Sequence, residues 1–365
     1  MFGMMSKQQL LVSSLIEHSG KYHGNTEIAY CSTNGEVKKT NYSQTLNSIK
    51  KLANGLTSLG VKLGDRIGTL AWSNLYHFEL YYGISGIGAI CHTINPRLFT
   101  EQIVFIINDA KDKLLFIDLD FIDIISEISN KLKTVEKIII LCSEADFPKD
   151  LEFDKEVLCY ETLLNNENAL NSWPDFSENT ASSLCYTSGT TGNPKGVLYS
   201  HRSTIIHTLA AANPDALKLS ALDVVMPIAP MFHANAWGIP YVATMVGAKI
   251  VLPGRNLTGE NIYKLLEEEK VTFTAAVPTI WLMLFDYLEK NKKKITHLKS
   301  CAIGGTACPK FMIENFLEKH DVQVIHAWGM TETSPLGTVN KPLRKHNKLN
   351  KNEKIQLATK QGRPI

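Results

Sequence analysis

Residues 185–197 read CYTSGTTGNPKGV and directly follow a short apolar run that is typical of a β-strand. The stretch combines three glycines, four small hydroxyl side chains and one lysine. Glycine lets backbone N–H groups point together at one anion, and small hydroxyls add donors without bulk. Lys195 supplies a compact positive charge, and Pro194 stiffens the turn before it. The stretch therefore predicts a polyphosphate site, with an ordinary surface turn as the alternative.

The spacing of this turn excludes the commoner phosphate motifs. A Walker A loop needs G-x-x-x-x-G-K-[ST], whereas Gly189 and Gly192 are too close together and Pro194 precedes the lysine. The dinucleotide motif G-x-G-x-x-G is missing, because the glycines of residues 83–88 have the reversed spacing. The hydrolase pattern G-x-S-x-G is not present either.

The composition of the chain limits its class. With 365 residues and 44% hydrophobic content it can bury a large core, which we expect to be divided into two subdomains. A formal charge of +2 gives no basic face, so we expect no nucleic-acid partner. Seven scattered cysteines without a C-x-x-C pair favour reduced thiols, and hence a cytoplasmic location, over a disulfide framework or a zinc site.

The sequence predicts neither a signal peptide nor a membrane span. Residues 10–16 form a short apolar run without a small-residue cleavage site, and their polar spacing suits an amphipathic helix. Since no run of about 18 apolar residues occurs, we expect no transmembrane segment.

The hydrophobic pattern alternates between strands and helices. Residues 114–118 and 137–142 are continuous apolar runs, as expected for strands that are buried on both faces. Residues 43–60 place apolar side chains on one helical face between a serine cap and a glycine stop. We therefore expect an α/β fold with mostly parallel sheets. The same rhythm predicts strands at 66–72, 89–94, 182–187, 223–229, 248–252, 272–277, 301–304 and 322–328, and helices at 76–86, 259–270, 279–290 and 309–319.

Composition shifts suggest the domain boundaries. We expect an N-terminal αβ subdomain at residues 1–180 and a nucleotide- and acyl-binding αβ subdomain at residues 181–340. Residues 147–180 are acidic and rich in asparagine, and we interpret them as a connection between the two. Residues 341–365 hold eight Lys or Arg against one acid, which predicts a basic tail forming a solvated loop or a short helix.

Four motifs in order resemble those of adenylate-forming (AMP-binding) enzymes. TSGTTGNPKG at residues 187–196 resembles the phosphate-binding signature of acyl-CoA synthetases, luciferases and peptide-synthetase adenylation domains. PMFHANAWG at residues 230–238 resembles the acyl-pocket segment of fatty acyl-CoA synthetases. GGTACP at 304–309 and HAWGMTE at 326–332 resemble the turns around adenine and magnesium. Residues 70–98 are also similar to the fatty acyl branch, and the resemblance extends from about residue 25 onward.

This resemblance implies two layered αβ subdomains with mostly parallel sheets, as in the large N-terminal domain of acyl-CoA synthetases. It also implies a two-step reaction with ATP, Mg²⁺ and coenzyme A as cofactors and a carboxylic acid as substrate. In the first step a carboxylate approaches an anionic phosphate chain, and two like charges 4 Å apart repel by about 4 kcal/mol at an effective dielectric constant of about 20. Cations and N–H donors must cancel that repulsion.

The resemblance assigns a role to each motif residue. Thr187 and Glu332 would be the partners of magnesium, a hard ion that keeps waters and shares phosphate oxygens. Lys195, His233 and Glu332 would be the catalytic residues. His233, Ala234 and Trp237 would line the acyl site, with Trp237 gating the tunnel. The nucleotide would be held by Thr187, Ser188, Gly189, Thr190, Thr191 and Gly192 at the phosphates, and by Gly305, His326, Ala327, Trp328 and Thr331 at adenine. A packed core indole and a satisfied core histidine are the alternatives for Trp237 and His233.

In the family, a Thr-Gly-Asp motif, a hinge and a small C-terminal domain with a lysine follow, whereas this sequence stops at Ile365. We therefore expect impaired adenylation and almost no thioester formation by this chain alone. We favour a medium- or long-chain fatty acid as substrate. The alternatives are a ligase for a short acid such as 3-methylthiopropionate and a non-catalytic ATP- or acyl-binding remnant. A homodimer is an open expectation, because the fatty acyl branch is commonly dimeric.

Overall fold

The computed structural model describes residue 3, residues 5–187 and residues 192–365. These form two compact units, each built from separate stretches of the chain. The first unit comprises Met1–Gly20, Thr45–Ala71 and Phe78–Ile206, and the second Lys21–Gln44, Trp72–His77 and His207–Ile365.

Strands and helices alternate along the chain as the hydrophobic pattern predicts. The strands are β1 (Glu27–Cys31), β2 (Val37–Asn41), β3 (Arg66–Leu70), β4 (Ile90–Thr93), β5 (Asp112–Asp118), β6 (Lys137–Leu141), β7 (Glu156–Cys159), β8 (Ala181–Thr187), β9 (Lys195–Ser200), β10 (Val224–Pro227), β11 (Lys249–Leu252), β12 (Phe273–Ala276), β13 (Ser300–Ile303), β14 (Gln323–Gly329), β15 (Leu336–Val339) and β16 (Arg363–Pro364). The helices are α1 (Ser13–Tyr22), α2 (Tyr42–Ser58), α3 (Leu75–Gly86), α4 (Thr100–Ala110), α5 (Ile122–Ile128), α6 (Tyr160–Asn165), α7 (His201–Ala212), α8 (Ala234–Trp237), α9 (Ile239–Val246), α10 (Gly259–Glu268), α11 (Pro278–Lys290), α12 (Lys310–His320) and α13 (Lys351–Ala358).

The first unit contains a sheet that, within the described residues, has seven strands in the order β7-β6-β5-β3-β4-β8-β9. All neighbours are parallel except β8 and β9, which form an antiparallel hairpin at one edge. The apolar runs of β5 and β6 are buried almost throughout, because helices cover both faces of a parallel sheet.

The second unit contains a sheet with nine strands in the described part of the chain, ordered β16-β15-β14-β13-β12-β10-β11-β1-β2. Its centre from β14 to β1 is parallel, and antiparallel strands occur at both ends. A core around Trp281 and Phe316, both fully buried, packs beside this sheet. Both sheets are thus mostly parallel, as the sequence predicts.

The division between the units differs from the boundary predicted at residue 180. Strand β8 pairs with β4, so residues 181–206 lie in the first unit. Strand β1 pairs with β11, which brings residues 21–44 into the second unit. The boundary between the two units depends on strand pairing between distant parts of the chain. Local amino-acid composition carries no information about that pairing.

Two predicted irregular segments contain more structure than expected. Residues 147–180, interpreted as a connection, include β7 and α6, and β7 completes an edge of the first sheet. The basic tail does contain a short helix, α13, but it is docked rather than simply solvated. Its Ile355 is 2% exposed within the core of the second unit, and Arg363 donates to the Lys341 carbonyl at 2.9 Å. The tail is therefore anchored by a buried isoleucine together with hydrogen bonds to its backbone carbonyls and from Arg363.

Among the described residues, no helix has the length and apolarity needed to cross a membrane.

Candidate functional site

The predicted phosphate turn lies at the tip of the β8–β9 hairpin in the first unit. Thr187 at the end of β8 is paired with Lys195 at the start of β9, and its hydroxyl donates to the Lys195 carbonyl at 3.5 Å. Gly192 has φ of +96°, a conformation that glycine adopts without strain. The Lys195 side chain is exposed. Four predicted phosphate ligands, Ser188, Gly189, Thr190 and Thr191, lie outside the described residues.

Tyr186, which precedes the turn, fastens the hairpin to the rest of the first unit. Its hydroxyl donates to Asp109 Oδ2 at 2.6 Å, and its ring centre lies 5.1 Å from that of His92. Gly196 faces it across the hairpin, where an added Cβ would lie 3.2 Å from Tyr186 Cζ. Burial, followed by the neighbouring Asp109 carboxylate, raises the pKa of the Tyr186 phenol, so it remains a hydrogen-bond donor. No local sequence pattern singles out Tyr186, because its partner is 77 positions away.

The predicted acyl segment of the second unit contains a left-handed turn. The φ angles of α8 are 44°, 51°, 50° and 57° from Ala234 to Trp237, and Gly238 follows at 73°. For residues other than glycine this conformation costs about 1–2 kcal/mol each. The Ala236 N–H donates to the carbonyls of Pro230 and His233 at 3.2 and 3.1 Å, which closes the turn. Such strain persists only where surrounding contacts hold it, and it concentrates at functional sites.

The acyl-site residues occupy different positions on this turn. His233 precedes it with an exposed side chain, whereas Ala234 is buried. Solvent reaches the His233 ring, yet the protein atoms around it partly bury the imidazole and lower its pKa. The exposed ring can meet a ligand, and its lowered pKa keeps it mainly as the neutral imidazole near pH 7.

Trp237 connects the acyl segment to the predicted adenine turn. The indole lies against the backbone of Gly304 and Gly305: an added Cβ on Gly304 would be 3.5 Å from Trp237 Cη2, and one on Gly305 would be 3.8 Å from Cζ2. A Cβ added to Gly304 would also lie 3.2 Å from the Ala327 carbonyl oxygen. The second unit therefore brings together one predicted acyl residue and two predicted adenine residues, Gly305 and Ala327.

His326 is buried and uses both ring nitrogens within the protein. Nδ1 donates to the Thr359 carbonyl at 2.9 Å, and Nε2 accepts from the Cys308 N–H at 3.3 Å. Burial lowers the pKa of His326, although the Thr359 carbonyl opposes this shift. The imidazole thereby holds the 304–309 turn next to the end of α13. Its predicted contact with adenine remains a prediction.

The 326–332 motif ends in residues of contrasting exposure. The Trp328 side chain is 38% exposed and packs on Gly337 of β15, where an added Cβ would be 2.8 Å from the ring. Thr331 is buried, and Glu332 in the 3₁₀ turn Thr331–Thr333 is exposed. Part of the Trp328 ring thus packs against the Gly337 backbone, while another part remains open to solvent.

The donors predicted for magnesium fit that ion chemically. Thr187 offers a partly exposed hydroxyl and Glu332 an exposed carboxylate, both hard oxygen donors. The structure describes no group of three or more His, Cys, Asp or Glu side chains that could hold a metal within residue 3, residues 5–187 and residues 192–365. Since Thr187 belongs to the first unit and Glu332 to the second, their shared magnesium site remains a prediction.

The chain is similar to known proteins along its whole length. The family model for AMP-binding enzymes matches residues 16–365. The chain is 48% identical to a 3-methylmercaptopropionyl-CoA ligase from Ruegeria lacuscaerulensis and 46% identical to a medium-chain-fatty-acid–CoA ligase from Ectopseudomonas oleovorans. Both alignments cover 100% of this chain, and they cover 67% and 66% of the respective relatives.

A solved structure supports the same fold. The anthranilate CoA ligase AuaEII, in complex with anthranoyl-AMP, matches with a TM-score of 0.85 at 22% identity. The match covers 100% of this chain and 66% of that structure. At this identity the likeness concerns the fold, and it confirms the predicted α/β architecture.

Proposed function

This chain belongs to the AMP-binding enzyme family, and from that premise we propose that it activates a medium- or long-chain fatty acid with ATP and passes the acyl group to coenzyme A. The observation that best supports the proposal is the contact of Trp237 with the Gly304–Gly305 backbone. A ligase of this kind must hold an acid next to a nucleotide, and this contact joins the segments assigned to the two ligands.

The proposed reaction has two balanced steps. A carboxylate oxygen attacks the α-phosphorus of ATP, a bond to that phosphorus forms, and pyrophosphate leaves with the electron pair of the broken P–O bond. The thiol sulfur of coenzyme A then attacks the acyl carbon, the proton of the thiol is lost, and AMP leaves. Both products of the first step are anions, so its transition state needs positive charge close to the phosphates.

The side chains of this enzyme would divide that work. Lys195 places an ammonium charge at the phosphates, and the glycines beside it leave N–H groups available. His233 donates one ring N–H hydrogen bond to the carboxylate, and Trp328 offers the exposed part of its ring to adenine. Thr187 and Glu332 would hold magnesium, which supplies charge to phosphate oxygens when it is bound.

The identity of the acid is the finer part of the proposal. A medium-chain-fatty-acid–CoA ligase at 46% identity favours a fatty acid. A 3-methylmercaptopropionyl-CoA ligase at 48% identity favours a short sulfur-containing acid as the second candidate.

The test is acid-dependent exchange of labelled pyrophosphate into ATP by this chain. We expect exchange with octanoate or a longer fatty acid that exceeds exchange with 3-methylthiopropionate. The reverse order would favour the second candidate. Binding of Mg·ATP by calorimetry without exchange with any acid would favour a non-catalytic binder and would contradict the proposed activity. A parallel assay for acyl-CoA formation measures the second step separately.

A further inference from the structure

His207 is a buried histidine with a defined contact at each end of its ring. It lies on α7, is 6% exposed, and belongs to the second unit. One edge of the ring touches Gly238, where an added Cβ would be 2.6 Å from Cε1 and 2.8 Å from Nδ1. At the other edge Nε2 accepts a hydrogen bond from the Leu336 N–H at 3.3 Å. The imidazole therefore bridges two segments that are far apart in the sequence.

One of these segments is the strained acyl turn. Gly238 closes the left-handed stretch that begins at Ala234, so His207 packs on its last residue. Left-handed non-glycine residues need external contacts to remain in place. The close approach of the ring to Gly238 leaves no room for a Cβ, which fixes both the residue type and the spacing at this joint.

The other segment carries the predicted adenine and magnesium residues. Leu336 begins β15, pairs with Gly329 of β14 and follows the 3₁₀ turn that contains Glu332. The next residue, Gly337, supports the ring of Trp328. A displacement of Leu336 would therefore move the support of Trp328 and the end of the Glu332 turn together.

We propose that His207 is a positioning residue that couples the acyl segment to the adenine segment, so that an acid and a nucleotide raise each other's affinity. The inference rests on the proposed function, and it adds a residue that the sequence motifs do not include. His207 reaches neither ligand in this account. It acts through Gly238 on one side and through the Leu336 N–H on the other.

The simpler interpretation is that His207 only fills the core. Both interpretations predict that its removal destabilises the protein, so stability cannot separate them. Coupling can separate them, because it is a difference between two binding free energies measured on the same folded variant. It is also reciprocal, which provides an internal check.

The experiment is calorimetry with α,β-methylene-ATP and magnesium, with and without saturating octanoate or 3-methylthiopropionate, whichever acid binds. In the unaltered chain we expect the acid to raise nucleotide affinity by about tenfold, within the usual range of coupling. In His207→Phe, which keeps a ring but removes the acceptor, we expect a residual factor below about twofold. His207→Gln retains an acceptor oxygen and should restore most of the coupling.

A matched control and a second variant complete the design. His201→Phe alters another buried histidine of α7, outside this bridge, and should leave the coupling unchanged. Gly238→Ala pushes a methyl group into the His207 ring and should abolish coupling from the other side. If His207→Phe does not fold, Gly238→Ala alone tests whether the contact between His207 and Gly238 carries the coupling.

The outcomes are distinct. If the unaltered chain binds neither ligand, the proposed function itself fails. If it binds both without mutual effect, or if His207→Phe and Gly238→Ala keep the full coupling, the positioning role of His207 is overturned.

Discussion

Lys195 is the described residue whose charge the proposed chemistry needs most directly. We expect Lys195→Met to slow acid-dependent pyrophosphate exchange by about 10²–10³-fold, because a cation is removed where negative charge develops. The free energy of unfolding should change by less than about 0.5 kcal/mol, because the side chain is exposed. Lys38→Met, at an exposed position of β2, is the matched control. An equal loss in both variants would contradict a specific role for Lys195.

Individual residues differ in how far the sequence reveals them. Lys195 stands in a turn whose glycines and hydroxyls already suggest phosphate, so composition was sufficient to single it out. His207 and Tyr186 stand in ordinary apolar patterns, and their partners are 129 and 77 positions away. Residues whose importance lies in one distant contact leave no local signal.

The Tyr186–Asp109 hydrogen bond connects the β8–β9 hairpin to helix α4 of the first unit. We expect Tyr186→Phe to lower the free energy of unfolding by about 1–2 kcal/mol, because the bond to a carboxylate is lost. We also expect weaker Mg·ATP binding, because the phosphate turn would lose part of its support. A double-mutant cycle with Asp109→Ala measures the pair by urea unfolding. Additive effects of the two changes would show that the bond does not stabilise the hairpin.

Helix α13 contributes one buried apolar side chain, Ile355, to the core of the second unit. We expect Ile355→Ala to lower the free energy of unfolding of the second unit by about 2–4 kcal/mol, because it leaves a cavity in the core. Gln356→Ala changes the exposed neighbour and should have little effect. Limited proteolysis should then cut residues 341–365 faster in the first variant than in the second. Equal cleavage rates would contradict docking through Ile355.

Elements were predictable where the apolar pattern was long or continuous. Strands β5 and β6 and helices α10 to α12 lie within a few residues of their predicted bounds, because burial on both faces or on one helical stripe leaves a clear pattern. Strands β1, β2, β7, β9, β15 and β16 were not predicted. They have two to six residues and lie at or next to an end of their sheets, so they carry too few side chains for a clear period. The left-handed turn of α8 was also missed, because neither alanine nor tryptophan favours it and only tertiary contacts impose it.

Pairing between strands that are distant in the sequence determines which segments belong to the same unit. Residues 21–44 precede most of the first unit in the sequence, yet β1 pairs with β11 more than 200 positions later. A boundary placed by composition near residue 180 could not reveal this. The motifs were nevertheless recognisable in the sequence, because each is a local pattern.

Buried histidines give both units a common dependence on pH. His201 Nδ1 accepts from the Val12 N–H at 3.0 Å, and His207 Nε2 accepts from Leu336. Burial lowers the pKa of each from 6.5 to about 4. Below about pH 6.5 these histidines are therefore protonated in the unfolded chain but remain neutral in the folded chain. The free energy of unfolding consequently falls as the pH drops toward 4. Each histidine lowers the free energy of unfolding by up to about 1.4 kcal/mol for each pH unit of acidification between pH 6.5 and pH 4.

Glu79 acts in the opposite direction and determines how the test is designed. Burial raises the pKa of its carboxyl to about 7, although hydrogen bonds from Tyr160 and Ser48 oppose the shift. The folded chain thus keeps a proton there that the unfolded chain loses above about pH 4.5, which favours the folded chain on acidification. The change of the unfolding free energy with pH in the unaltered chain is the sum of both effects. The contribution of the histidines must therefore be measured as the difference between the unaltered chain and a variant that lacks them. We expect urea unfolding of the His201→Gln/His207→Gln variant to lose less stability between pH 7 and pH 5 than the unaltered chain does. Parallel loss in the two proteins would show that neither histidine is held neutral by folding.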